Sequence, residues 1–121
     1  MFTGIIEALG EVKNLNKEGT NLRITLASSI SNELKVDQSV AHNGVCLTVE
    51  TCSVDTYEVV AVEETLKKTN LSNLAEGQNI NLERCMQMNG RLDGHIVQGH
   101  VDEVATVSKV EELLGSWNFT F

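Results

Sequence analysis

Residues 1–86 are predicted to form a compact all-β unit, an antiparallel barrel with one short helix, and residues 95–121 to begin a second, incomplete unit after a linker over 87–94. Three observations carry this. Short runs with two-residue apolar alternation recur along the first 86 residues. The stretch Ser39-Val-Ala-His-Asn-Gly-Val-Cys-Leu-Thr-Val49 joins two such runs at Asn43-Gly44, the dipeptide that best tolerates the positive φ angles of a tight reversal between strands. The end of the chain also echoes its beginning at one ungapped offset.

In order along the chain, Ile6, Ala8, Gly10 and Val12 alternate with Glu7, Leu9, Glu11 and Lys13, a strand with one wetter face. Turn residues over 16–21 lead to Leu22, Ile24 and Leu26, a hairpin partner for that strand. Ser29 and Ser31 are potential N-caps of a helical turn within 28–34. The Ser39–Val49 bend follows, with His42 before it and Cys46 and Thr48 sharing one strand face after it. Residues 54–62 alternate again. Residues 63–74 place acids ahead of bases with Leu66, Leu71 and Leu74 at loosely helical spacing, a helix plugging one end of the sheet. Residues 78–84 supply a last strand, and the absence of proline suits uninterrupted ladders.

Nine basic against 17 acidic residues give a formal charge of −8, which disfavours nucleic acid or an anionic membrane as partner. The amino terminus lacks a basic start and no apolar run is long enough for a bilayer, so a cytoplasmic protein is expected. Cys46, Cys52 and Cys85 show neither a disulfide framework nor zinc spacing. His95 and His100 match no common metal-ligand pattern, so no metal is expected.

Placing Gly99 on Gly4 aligns Val101 with Ile6, Val107 with Val12, and Trp117, Phe119 and Phe121 with Leu22, Ile24 and Leu26. One offset holding across two strands reads as an internal repeat. A full second unit would extend about 60 residues beyond Phe121. Residues 95–121 are therefore expected either to pair with another copy of the chain or to be poorly ordered, because a lone strand pair cannot bury those rings.

Read residue by residue, the chemistry stays open. Spacing alone favours a buried apolar filler for Cys46 and a helix-start acid for Glu64, and Gly4 equally reads as the start of a strand. Four motifs together say more: Met1-Phe-Thr-Gly-Ile-Ile6, the Ser39–Val49 stretch, Glu64-Thr-Leu-Lys-Lys-Thr-Asn-Leu71 and Gly94-His-Ile-Val-Gln-Gly-His-Val-Asp102. In this order they resemble the α-subunit type of riboflavin synthase, whose chains hold two six-stranded Greek-key barrels. That resemblance implies dismutation of two 6,7-dimethyl-8-ribityllumazine molecules to riboflavin and 5-amino-6-ribitylaminouracil without a cofactor, the protein orienting two rings and assisting proton transfer.

It also implies substrate contacts. Gly4, Ile5 and Ile6 would approach the ring through backbone groups. Cys46, Leu47 and Thr48 would form one wall, and Val60, Ala61, Val62, Glu63, Glu64 and Thr65 the other, with Glu64 and Thr65 contacting the ribityl hydroxyls or the ring. Gly99, His100 and Val101 would be the second barrel's counterpart of Gly4–Ile6. Among these, His100 suits proton transfer, Thr48 fixes the heterocycle's polar edge, and Cys46 is a wall, a nucleophile in principle for which spacing assigns no general base. The same family includes non-catalytic lumazine and flavin carriers, the alternative reading. A full-length member would be a trimer, and a lone first barrel exposing its partner surface could pair as a dimer.

Overall fold

A computed structural model describes all of residues 1–121. Six strands, β1 (Ala8–Glu18), β2 (Asn21–Ser28), β3 (Ser39–His42), β4 (Val45–Cys52), β5 (Thr56–Ala61) and β6 (Asn79–Arg84), close into a barrel in the order β1-β2-β5-β4-β3-β6. Every pairing is antiparallel, and the non-sequential neighbours β2–β5 and β3–β6 make it a Greek key. Alternation sends Val12, Ile24, Leu26, Val40, Val45, Leu47, Val49, Val59, Ile80 and Leu82 into one core, joined by Tyr57 and by Leu71 from below.

Asn43 and Gly44 both take positive φ, 49° and 84°, so the central reversal has the geometry its dipeptide favours. Other local expectations shift. The first hairpin turns at Gly19-Thr20 alone, with β1 running to Glu18, instead of looping over 16–21. Ile30, not a serine, precedes the 3-10 turn Ser31–Glu33, because the Ser31 hydroxyl is drawn back to accept from the Ser28 amide. β5 begins at Thr56, since Ser53 and Thr56 close a polar turn that leaves Val54 exposed. The single helix expected over 63–74 divides into α1 (Glu63–Lys68) and a 3-10 turn Asn70–Asn73. Thr69 separates them in extended conformation, its hydroxyl donating to the Thr65 carbonyl and accepting from the Leu71 amide.

Residues 95–101 lie against this barrel. Phe2 and Val97 exchange both backbone hydrogen bonds, at 2.7 and 2.9 Å, and the Cys46 amide donates to the Gly99 carbonyl at 2.9 Å. β7 (Lys109–Leu113) and β8 (Ser116–Thr120) then form a hairpin that pairs only with itself and is exposed along both strands. The head of the tail is tied to the barrel of the same chain, while Trp117, Phe119 and Phe121 stay 56%, 56% and 73% exposed.

Candidate functional site

The predicted contact residues fall into two neighbouring groups. The larger gathers where β4 and β5 part. Their ladder runs from Cys52↔Tyr57 to Val49↔Val59 and goes no further, so Cys46–Thr48 and Val60–Val62 face each other without pairing. Each keeps its other neighbour: Thr48 pairs with Ser39 of β3 and Val60 with Arg23 of β2. The Val49 amide donates back to Gln38, and the Cys46 amide points the opposite way, to Gly99. Two-residue alternation then aims the Thr48 amide and carbonyl, like those of Cys46, into the gap.

Leu47 turns into the core, whereas half-buried Cys46 and exposed Thr48 share the outer face. Thr25 and Thr51 commit their hydroxyls to Glu58, at 3.2 and 3.1 Å, but the Thr48 hydroxyl has no intramolecular partner. Ala61 is buried in the core, Val60 half-buried, and Val62 exposed where it leads into α1. Glu63 and Glu64 pair with Lys67 and Lys68 one helical turn on, at 2.7 and 2.9 Å. The Lys68 ammonium hydrogen-bonded to Glu64 holds that carboxyl below its usual range. Thr65 is half-buried.

Gly99 closes one end of the gap. It is buried at φ 82°, and a Cβ there would stand 2.8 Å from that of Cys46 and 2.9 Å from the Phe2 ring, so only glycine fits. Val101 packs against the barrel core while His100 between them is exposed.

The smaller group is on the other side of the Phe2–Val97 bridge. Gly4 and Ile6 border a cavity of about 90 Å³ with Phe2, Ala41, Gly44, Glu83 and Val97. Gly4 has φ 80°, and the His95 ring and Val97 lie over it. Ile5 points instead to a cleft of about 730 Å³ lined by Glu7, Glu33, Lys35, Arg84 and Arg91 among others. That cleft includes no other predicted contact residue; its size reflects a mixed-charge surface between loops. No three His, Cys, Asp or Glu side chains converge as metal ligands.

A family model described as the lumazine binding domain matches residues 3–85, which span the barrel and the gap. The chain belongs to the lumazine binding domain family. Among its relatives, riboflavin synthase of Bacillus amyloliquefaciens is 41% identical over 113 residues, covering 93% of this chain and 53% of the relative. That of Bacillus subtilis is 42% identical with the same coverage, and that of Saccharomyces cerevisiae 40% identical, covering 88% and 48%. The chain spans about half the length of these curated relatives. Crystal structures of LumP complexed with riboflavin and with flavin mononucleotide superpose with TM-scores of 0.82 and 0.80 at 25% identity. They cover 94% and 92% of this chain and 62% and 63% of LumP.

Sequence reasoning missed two members of this lumazine binding domain's architecture. Phe2 lies in a quoted motif but was assigned no contact, and Glu83, buried beneath Thr3 and Gly4, carries no local signal at all.

Proposed function

We propose that this chain supplies the first ring-holder of a riboflavin synthase, binding 6,7-dimethyl-8-ribityllumazine in the gap between Cys46–Thr48 and Val60–Thr65. The observation that carries this is the identity of about two residues in five to riboflavin synthases, over a stretch that takes in the gap and the 99–101 limb. A flat heterocycle with urea-like edges wants in-plane donors and acceptors on one side and apolar contact on its face. The unladdered Thr48 backbone, its free hydroxyl and the flanking Val60 and Val62 have that character. Glu64 and Thr65 border the same gap for ribityl hydroxyls, and Gly99–Val101 close it. Gly4, Ile5 and Ile6 serve a second ring, across the Phe2–Val97 bridge.

In the reaction one lumazine gives a four-carbon unit to the other, leaving riboflavin and 5-amino-6-ribitylaminouracil. His100, exposed beside the gap, is the proton-transfer group; Thr48 positions the ring; Cys46 is wall. The second ring needs a second barrel, which residues 95–121 begin after the 87–94 linker. Supporting an internal repeat, Gly4 and Gly99 share nearly the same φ, 80° and 82°, and the β7–β8 turn at Leu114-Gly115 falls where the repeat offset puts Gly19-Thr20. The assembled enzyme is a cytoplasmic homo-oligomer, a trimer when both barrels are complete and a dimer for the first barrel alone.

Incubating the full-length protein, with both barrels complete, with 6,7-dimethyl-8-ribityllumazine and following riboflavin absorbance tests the catalytic part. Riboflavin formation lost in His100→Gln supports it; turnover unaffected by that change refutes the role of His100. The likeness to LumP complexed with riboflavin favours a second reading, a carrier that holds one ligand without turnover. Stoichiometric binding with no riboflavin formed by the full-length protein would decide for the carrier.

A further inference from the structure

β6 alternation sends Ile80 and Leu82 into the core and Glu83 outward, yet Glu83 is only 5% exposed. The amino-terminal segment crosses over it. The Thr3 amide and hydroxyl both donate to Glu83 Oε1, the latter at 2.6 Å, and the Gly4 amide donates to Oε2 at 3.1 Å. A buried carboxylate is tolerable only when its lone pairs are filled by such donors, so this is a built contact.

What Glu83 holds is itself the clamp of the gap. Phe2, one residue before the anchored pair, is 1% exposed, exchanges two backbone hydrogen bonds with Val97, and lays its ring against Gly99. Gly99 in turn accepts from the Cys46 amide. Direct contacts therefore run from Glu83 through Thr3 and Phe2 to the wall of the proposed ligand site. The 90 Å³ cavity bounded by Glu83, Phe2, Gly4 and Val97 leaves the segment room to shift once the tie is cut.

We propose that Glu83 is a positioning residue for ligand binding: its carboxylate fastens Phe2–Gly4 to β6, and Phe2 thereby presses the 97–101 limb onto Cys46. The ligand arm of this proposal rests on the reading given above; the anchoring arm does not. Glu83→Gln keeps the size of the side chain but turns an acceptor oxygen into a donor facing donor amides.

Amide hydrogen exchange and riboflavin titration of the full chain test both arms. In Glu83→Gln, exchange at Phe2, Val97 and Cys46 should accelerate about tenfold or more while amides of the β2–β5 ladder keep their rates, and the riboflavin Kd should rise about tenfold. Unchanged exchange at Phe2 and Val97, equal loosening of the β2–β5 ladder, or loosening with unaltered riboflavin affinity would each overturn the proposal. If Glu83→Gln does not fold, Thr3→Val, which removes one of the three donors, should loosen the same amides to a smaller degree, and no loosening would overturn it. Failure of the unsubstituted chain to bind riboflavin would count against the lumazine-site reading, with exchange at Phe2 and Val97 still deciding the anchor.

Discussion

His42 spends its imidazole inside the barrel. Its Nε2 lies 2.9 Å from the Tyr57 hydroxyl, and burial pushes the ring down from 6.5 to about 4 while raising Tyr57. The folded chain therefore keeps His42 neutral where the unfolded chain takes up a proton. The stability this neutrality contributes is whole above pH 6.5 and is lost as pH falls toward about 4, on the order of 3 kcal/mol. Urea unfolding across that range should show the decline, and His42→Gln should flatten it; a slope unchanged in the variant would remove His42 as its source. Thr48→Val should weaken riboflavin binding about tenfold with stability altered by no more than about 0.5 kcal/mol. Gly99→Ala meets both a strained φ and the Cys46 Cβ, so exchange at Val97 and Cys46 should rise in that variant. At this scale the sequence showed that Cys46 and Thr48 share a face, because the period of a strand is two. It placed His42 among the chemically capable groups of the bend, whereas the ring is buried in the core, as is Ala41 beside it. Glu83 stayed hidden, since its partners lie 79 and 80 positions away.

Between residues and molecule stand the turns and strands. The Asn43-Gly44 reversal sets the β3–β4 register that pairs Ala41 with Cys46 and so aims the wall of the gap. Gly44→Ala has open space for its Cβ but keeps φ at 84°, so its cost is backbone alone, about 1 kcal/mol in equilibrium unfolding. The β7–β8 hairpin has no second layer to bury Trp117 and Phe119. Its amides should exchange orders of magnitude faster than those of β2 and β5, and slow exchange in a demonstrated monomer would contradict its isolation. Strands were legible because alternation against a buried face is a local signal. Caps and helix ends were not: whether Ser31 caps a turn or reaches back to Ser28, and whether Thr69 breaks a helix, depends on competing hydrogen bonds that a propensity does not rank.

For the molecule as a whole, closure of the barrel follows from β1 pairing with both β2 and β6, with the β4–β5 ladder stopping at Val49↔Val59. Periodicity alone supports an antiparallel barrel; the Greek-key order and the gap rest on pairings between distant segments, visible in sequence only through the four motifs. The grouping of contacts was half legible. Motif resemblance named Cys46–Thr48, Val60–Thr65 and Gly99–Val101, which adjoin, but not that Gly4–Ile6 lie beyond the Phe2–Val97 bridge. The gap between β4 and β5 is the site proposed to hold the lumazine ring. Titrating the isotope-labelled chain with 6,7-dimethyl-8-ribityllumazine and following amide chemical shifts tests it most directly. Saturable binding of one ligand per barrel is expected, with the largest shifts at Cys46, Thr48, Val60–Thr65 and Gly99–Val101. Shifts concentrated instead at Glu33, Lys35, Arg84 and Arg91 in the large cleft, or no saturable shifts at all, would contradict it.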